Sequence, residues 1–303
     1  GKKRLIPITF KHIGATVYSF AVFVIGSLAL SIHGFLLFAF RKSTEQRKYR
    51  YHQVLCNTAR FVVKYIPLVR TSVLNTQNET FDKPGIIICN HQSHLDLMYI
   101  MMLTPKLVVV TNEWVWNSPF YGKIVKYGDY YPVANGIENN LEAMQSLISR
   151  GYSIVIFPEG TRSADSSILR FKRGAFYVAE KLGVDIIPIV VHGIGHALPK
   201  TELLLRKGHV TVQILPRITP ENKEFGETYT ERARLVRQMY AQQYEQLRTQ
   251  CETPEYYSDL VFHNYIYKGA DVQKQARKEL YTFSNFSEIL KHLPHQGRVL
   301  HVG

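Results

Sequence analysis

Hydrophobic and polar positions fall into three textures along the chain. From Val17 to Phe40 there is no Asp, Glu, Lys or Arg. Crossing a bilayer takes about 20 apolar residues in a helix, so this run is long enough. From Tyr51 to Pro67 the apolar positions Val54, Leu55, Phe61, Val62, Val63 and Ile66 alternate with His52, Arg60 and Lys64 at helical spacing. That spacing predicts an amphipathic helix ended by Pro67. Beyond it, short apolar runs alternate with helix-periodic stretches. Strands are expected over 85–90, 106–111, 153–157, 185–191 and 209–215, and helices over 95–103, 139–150 and 174–182. Pro188 inside one strand implies an edge or a bulge, and a sheet that is not uniformly parallel. From about Thr228 the pattern becomes a long polar helix through Ala233, Val236, Met239, Tyr240, Tyr244 and Leu247, with further helices to Leu293.

The expected fold class is therefore α/β: a mixed, mostly parallel sheet flanked by helices. An N-terminal membrane-associated helical segment (1–67) precedes the main domain (68–222), and a C-terminal helical extension (223–303) follows it. The competing readings of the N-terminal run are a signal peptide and a buried core helix. No small-residue cleavage site leads into a polar start, which disfavours the first. Basic residues flank both ends: Lys2, Lys3, Arg4 and Lys11 before, Arg41, Lys42, Arg47, Lys48 and Arg50 after. The distribution of positive charge thus assigns no orientation, and a full span and a segment embedded in one leaflet stay open.

An apolar content of 46% supplies an ordinary globular core, and 37 Lys+Arg against 24 Asp+Glu leave a net charge of +13. Such a surplus favours an anionic partner, either a membrane surface or nucleic acid. The basic residues are dispersed and no nucleic-acid motif is present, so membrane lipids are the expected partner and nucleic acid is not. Cys56, Cys89 and Cys251 are far apart and odd in number, without metal-ligand spacing. That excludes a disulfide framework and a cysteine metal site, and fits the cytoplasmic face of a membrane. Cys89, in an all-apolar run, reads as a buried residue rather than a nucleophile.

Two runs carry candidate chemistry. In Asn90-His91-Gln92-Ser93-His94-Leu95-Asp96 an imidazole and a carboxylate stand five positions apart at the end of an apolar strand. Ser93-His94-Leu95-Asp96 also has the form of a capping box, in which Asp96 would only brace a helix start. Alternatively, Asp96 would hold one nitrogen of His91 and leave the other as a base. In Phe157-Pro158-Glu159-Gly160-Thr161-Arg162-Ser163 a proline stops another strand, a glycine allows close backbone approach, and Arg162 can fork onto a phosphate. Arg170, Lys172 and Arg173 follow before a helix start whose amides could add to an anion site. A solvated basic loop is the bland alternative.

Taken in order, His-x4-Asp followed by Phe-Pro-Glu-Gly-Thr-Arg closely resembles the glycerolipid acyltransferases, the family of glycerol-3-phosphate and lysophosphatidic acid acyltransferases. Ile187-Pro188-Ile189-Val190 resembles a further block of that family, and the resemblance spans roughly 81–216. It implies His91 as general base and Asp96 as its orienting acid. It implies substrate contacts for Asn90, Glu159, Gly160, Thr161, Arg162 and Lys172, with no metal and no cofactor. The co-substrate implied is an acyl thioester of coenzyme A or acyl carrier protein, and the acceptor a lyso-lipid hydroxyl. The chain departs from the family in one block: Gly128-Asp129-Tyr130-Tyr131-Pro132-Val133 aligns, but Ala134 stands where a phosphate-contacting arginine is usual. Either Lys123, Lys126 or another cation substitutes, or the acceptor lacks phosphate, as an amino-acid lyso-lipid does. A non-catalytic membrane-docked module is the rival of a different class. At the far end, Gly297-Arg298-Val299-Leu300-His301-Val302-Gly303 resembles the first strand and glycine of an S-adenosylmethionine-dependent methyltransferase. The expectation there is a longer polypeptide that continues into such a domain.

Overall fold

The computed structural model describes residues 8–39, 43–111, 113–118, 122–132, 140–200, 202–253 and 270–279, with a few single positions beyond 253. The methyltransferase-like run 297–303 and Ala134 lie outside the described residues. The chain divides into two compact units, Gly1–Tyr244 and Glu245–Gly303.

The first unit opens with α1 (Ile8–Phe38) and α2 (Glu45–Tyr65). At 1.5 Å per residue α1 is about 46 Å long, more than the roughly 30 Å of a bilayer's hydrocarbon core. Within its apolar stretch Phe10–Phe38 an 18-residue window has a mean hydropathy of 2.2, and little of that window is covered by the rest of the protein. Phe10, Val17, Ile25, Leu28, Ile32 and Leu36 all stand exposed. Both halves pack in part: Thr16 Oγ1 accepts the Leu205 amide at 2.9 Å, and the C-terminal half meets α2. There Tyr51 of α2 is fully buried and donates to the Leu30 carbonyl at 3.4 Å. Phe38 meets Tyr51 edge-on with ring centroids 5.9 Å apart. Thr44 caps α2 by accepting from the Arg47 amide, as a threonine at that position commonly does.

The sheet comprises β1 (Val69–Leu74), β2 (Ile86–Cys89), β3 (Leu107–Thr111), β4 (Tyr131–Pro132), β5 (Ser153–Ile156), β6 (Ile186–His192) and β7 (Gly208–Ile214). Their order is β1-β7-β6-β2-β5-β3-β4. Every neighbouring pair is parallel except β6 with β7. The mixed, mostly parallel α/β sheet is as the sequence pattern implies. β2, β5 and β6 are buried along their whole length, which explains why they read as unbroken apolar runs rather than alternations. Full burial of each Ile or Val there contributes about 1.5–3 kcal/mol.

β1 lay outside the sequence reading, and Pro188 resolves the choice between an edge and a bulge. The β1 sequence VRTSVL buries only Val69 and leaves the other five residues half-buried or exposed without alternation, and the parallel ladder with β7 is what fixes it. Pro188 is not on an edge, since β6 lies between β7 and β2. The pairings Ile189 with Ile214 and Ile186 with Ile218 enclose two residues on β6 and three on the other strand. Pro188 therefore faces a bulge, where no donor is required of it.

Helices α3 (Asp96–Met101), α4 (Glu113–Asn117), α5 (Gly122–Tyr127), α6 (Leu141–Ser149), α7 (Gly174–Leu182) and α8 (Ile194–Ala197) connect the strands. α9 (Tyr229–Cys251) begins in the first unit, where Tyr240 and Tyr244 are buried. Within the second unit the described residues include α10 (Ala270–Lys278). Arg248 pairs there with Glu245 and Glu252, one helical turn to either side.

Candidate active site

Register brings the two motifs together. Ile88 of β2 lies beside Ile156 of β5 in a parallel pair. Both strands then end, so Asn90-His91 and Pro158-Glu159 emerge side by side at the carboxyl edge of the sheet, where open α/β sheets place their ligands.

His91 Nδ1 lies 2.6 Å from Asp96 Oδ2. The carboxylate is completely buried, while the imidazole keeps 26% of its side-chain surface. The same Oδ2 accepts the backbone amides of Gln92 at 2.7 Å and Ser93 at 2.9 Å. The capping-box and functional readings are thus not alternatives. One oxygen braces the turn before α3 and holds the ring. Ser93 itself does not cap: its hydroxyl donates to the Leu198 carbonyl and accepts the Leu95 amide. With Asp96 ionised, Nδ1 must be the protonated nitrogen, and Nε2 carries the lone pair. The far face of the ring is set by Phe157, stacked with centroids 4.4 Å apart.

Asn90 and Glu159, expected at the substrate, are instead engaged with backbone. Asn90 is buried; its amide donates to the Val191 carbonyl and accepts the Val191 amide, both at 2.8 Å. It therefore stitches the end of β2 to β6. Glu159 is 4% exposed and accepts the His91 amide at 3.1 Å and the Leu169 amide at 3.2 Å. Burial raises its carboxyl to about pH 7 against the pull of those two amides.

Gly160 has φ +68, and a Cβ there would stand 2.5 Å from Lys172 Nζ, so only glycine lets that lysine lie across the turn. Lys172 is anchored by its own amide, which donates to the Pro158 carbonyl at 2.7 Å. Thr161 is exposed at the tip. The Ser163 amide donates to the His91 carbonyl at 2.7 Å, which ties the second motif's loop to the first. Arg162 Nη1 is buried with no hydrogen-bond partner. Arg170 and Arg173 are exposed, and α7 starts at Gly174, two residues beyond Lys172. Of the two substitute cations considered above, Lys126 stands over the Trp116 ring at 5.3 Å and Lys123 is exposed on α5.

Two supporting residues lay outside the sequence reading. Tyr240 accepts the Asn90 amide at 2.8 Å, and the Gln92 side chain donates to the Tyr244 hydroxyl at 2.8 Å. Both come from α9, some 150 positions away. Their spacing of four on one helix face was visible as periodicity, but their partners were not. Cys89 is fully buried and its thiol is pushed well up by that burial, unlike a reactive thiolate.

Comparison with known proteins places these residues in a family context. Residues 69–192 match the family model described as Acyltransferase. The chain is 30% identical over 165 residues to 1-acyl-sn-glycerol-3-phosphate acyltransferase alpha of Homo sapiens, covering 52% of this chain and 58% of that protein. It is 30% identical over 158 residues to 1-acyl-sn-glycerol-3-phosphate acyltransferase LPAT1, chloroplastic, of Arabidopsis thaliana, covering 50% and 44%. The chain spans about half the length of the curated relatives it matches. The crystal structure of the 1-acyl-sn-glycerophosphate (LPA) acyltransferase PlsC from Thermotoga maritima superposes with a TM-score of 0.69 at 20% identity, covering 79% of this chain and 97% of that one. That likeness is one of fold.

Proposed function

We propose, for a chain that belongs to the glycerolipid acyltransferase family, that it moves a fatty acyl group from a thioester to the hydroxyl of a lysophosphatidic acid at a membrane surface. The observation that carries this reading is the 2.6 Å contact between His91 Nδ1 and the buried Asp96 Oδ2, on a ring still open to solvent.

The chemistry follows from the groups present. His91 Nε2 takes the proton of the acceptor hydroxyl as its oxygen attacks the thioester carbonyl carbon. A carbon–oxygen bond forms, the carbon–sulfur bond breaks, and the departing sulfur receives the proton from the imidazolium. Asp96 stays ionised and stabilises that imidazolium, in the manner of a triad acid. A positioned base of this kind contributes on the order of 10²–10⁴ in rate. Thiolate leaves readily, so the mechanism asks for no enzyme nucleophile. Arg162 and Lys172 hold the acceptor's anionic end, with Gly160 and Thr161 forming the turn between them. Asn90 and Glu159 keep the two loops in register. The thioester is carried by coenzyme A or acyl carrier protein.

The exposed apolar length of α1 supports anchoring in the bilayer, where lyso-lipid and product reside. Three free cysteines, two of them buried, support the cytoplasmic face as its location. The test is a radiolabelled acyl-thioester assay on the membrane-reconstituted chain, offered a panel of lyso-lipids and read by chromatography. Labelled phosphatidic acid from lysophosphatidic acid is the expected product. Transfer to none of the lyso-lipids from either thioester carrier would overturn the reading.

A further inference from the structure

We propose that Lys200 is a further cation of the acceptor site, working with Arg162 and Lys172 on a phosphate monoester. The inference rests on the acyl-transfer reading above and names a residue outside every motif from which that reading was built.

After β6 the chain turns back across the catalytic loop through α8. Two contacts hold it there. Ser93 Oγ donates to the Leu198 carbonyl at 2.8 Å. At Gly195 a Cβ would approach the Gln92 Cβ to 3.3 Å and collide with the Ser166 hydroxyl, so the segment is seated tightly on both loops. Two residues beyond Leu198, Lys200 Nζ donates to the Arg162 carbonyl at 2.8 Å. The β6–α8 connection thereby joins the turn that carries His91 to the loop that carries Arg162.

The electrostatics of this spot call for an anion. Arg162 is half-buried, and its Nη1 has no hydrogen-bond partner. Lys200 is half-buried too, and its ammonium has two donors beyond the one spent on the Arg162 carbonyl. Among the described residues no carboxylate is paired with either side chain. A phosphate monoester presents enough oxygens to accept from both the unpartnered Arg162 Nη1 and the remaining Lys200 donors. His94 lies close enough to feel Arg162: its own burial first, and then that guanidinium, lower its imidazole below the ordinary value.

Sequence position explains why such a cation is needed. Ala134 occupies the place where a phosphate-contacting arginine is usual in the resembling family. Lys126, one candidate to replace it, is committed to the face of Trp116. Lys200 supplies the missing charge from a different loop.

The experiment measures equilibrium binding of lysophosphatidic acid and of monoacylglycerol with the same acyl chain, in matched detergent micelles. It uses the full chain as wild type, Lys200→Met and Lys200→Arg, alongside turnover with lysophosphatidic acid. Methionine keeps the aliphatic stem and removes only the charge. The wild type should prefer the phosphate-bearing lipid. Loss of one charge-assisted contact should cut that preference about tenfold in Lys200→Met, and arginine should restore most of it. An unchanged preference in Lys200→Met would overturn the proposal, as would equal weakening for both lipids or a wild type indifferent to phosphate. Selective loss of binding in a protein that proves unable to transfer acyl groups would remove the reaction and leave the Lys200 assignment standing.

Discussion

Glu159 holds His91 by its backbone, not by its ring: the carboxylate accepts the His91 amide at 3.1 Å while Asp96 takes the imidazole. Two buried acids therefore divide the work on one histidine. Glu159 also titrates anomalously, because burial raises it to about pH 7 from an ordinary value of 4.5. A carboxyl raised in the folded state favours folding while protonated. That contribution is complete below about pH 4.5 and is lost as pH rises through about 7. Glutamine can accept only one of the two amides and sets its NH2 against the other. Glu159→Gln should thus flatten the fall in stability between those pH values. The cost of the amide left unmatched, about 1–3 kcal/mol, should therefore be largest near pH 4 and shrink toward pH 8, where the wild type carries the buried charge. Chemical denaturation of both proteins across pH 4–8 checks this; parallel pH profiles would contradict it.

Tyr240 is expected to matter for stability more than for chemistry. Its hydroxyl accepts the Asn90 amide at 2.8 Å in a fully buried setting, so Tyr240→Phe strands that amide. A loss of about 1–3 kcal/mol follows from an unsatisfied buried donor. Thermal unfolding should show a clear drop in Tm, while the KM for the acceptor stays within a factor of about three. A large KM change at unaltered Tm would mean that Tyr240 meets substrate.

The outward face of α1 offers a third check. Phe10, Val17 and Ile25 are 77%, 63% and 66% exposed, and none of them supports the packing on α2. Replacing all three by glutamate should abolish co-sedimentation with vesicles, since each charge at the centre of a membrane helix costs about 2.5–3.5 kcal/mol. The soluble circular-dichroism signature of the sheet should persist. Unchanged vesicle binding would detach α1 from the membrane.

Much of this arrangement was legible along the chain. β2, β5 and β6 are buried on both faces, so their apolar runs stood out, and the antiparallel β7 was foreshadowed by Pro188. The partnership of His91 with Asp96 was readable as spacing, because five residues across a tight turn leave few other places for the acid. β1 was not readable, since its half-exposed residues carry no clear period and its ladder with β7 joins positions about 140 apart. The same holds for Tyr240, Tyr244 and Lys200. Each reaches the site through tertiary packing that no local pattern encodes. Asn90 and Glu159 show the reverse limit: a motif marks residues at a site without separating those that face the cleft from those that hold its walls together.

The central claim is that His91, oriented by Asp96, removes the acceptor's proton. Its most direct test is single-turnover acyl transfer by His91→Ala and Asp96→Asn, with folding monitored in parallel. His91→Ala should lose about 10²–10⁴ in rate with its fold intact. Asp96→Asn should lose a comparable factor, because its amide no longer selects the tautomer that leaves Nε2 free. Acyl transfer at the wild-type rate by a folded His91→Ala protein would contradict the account.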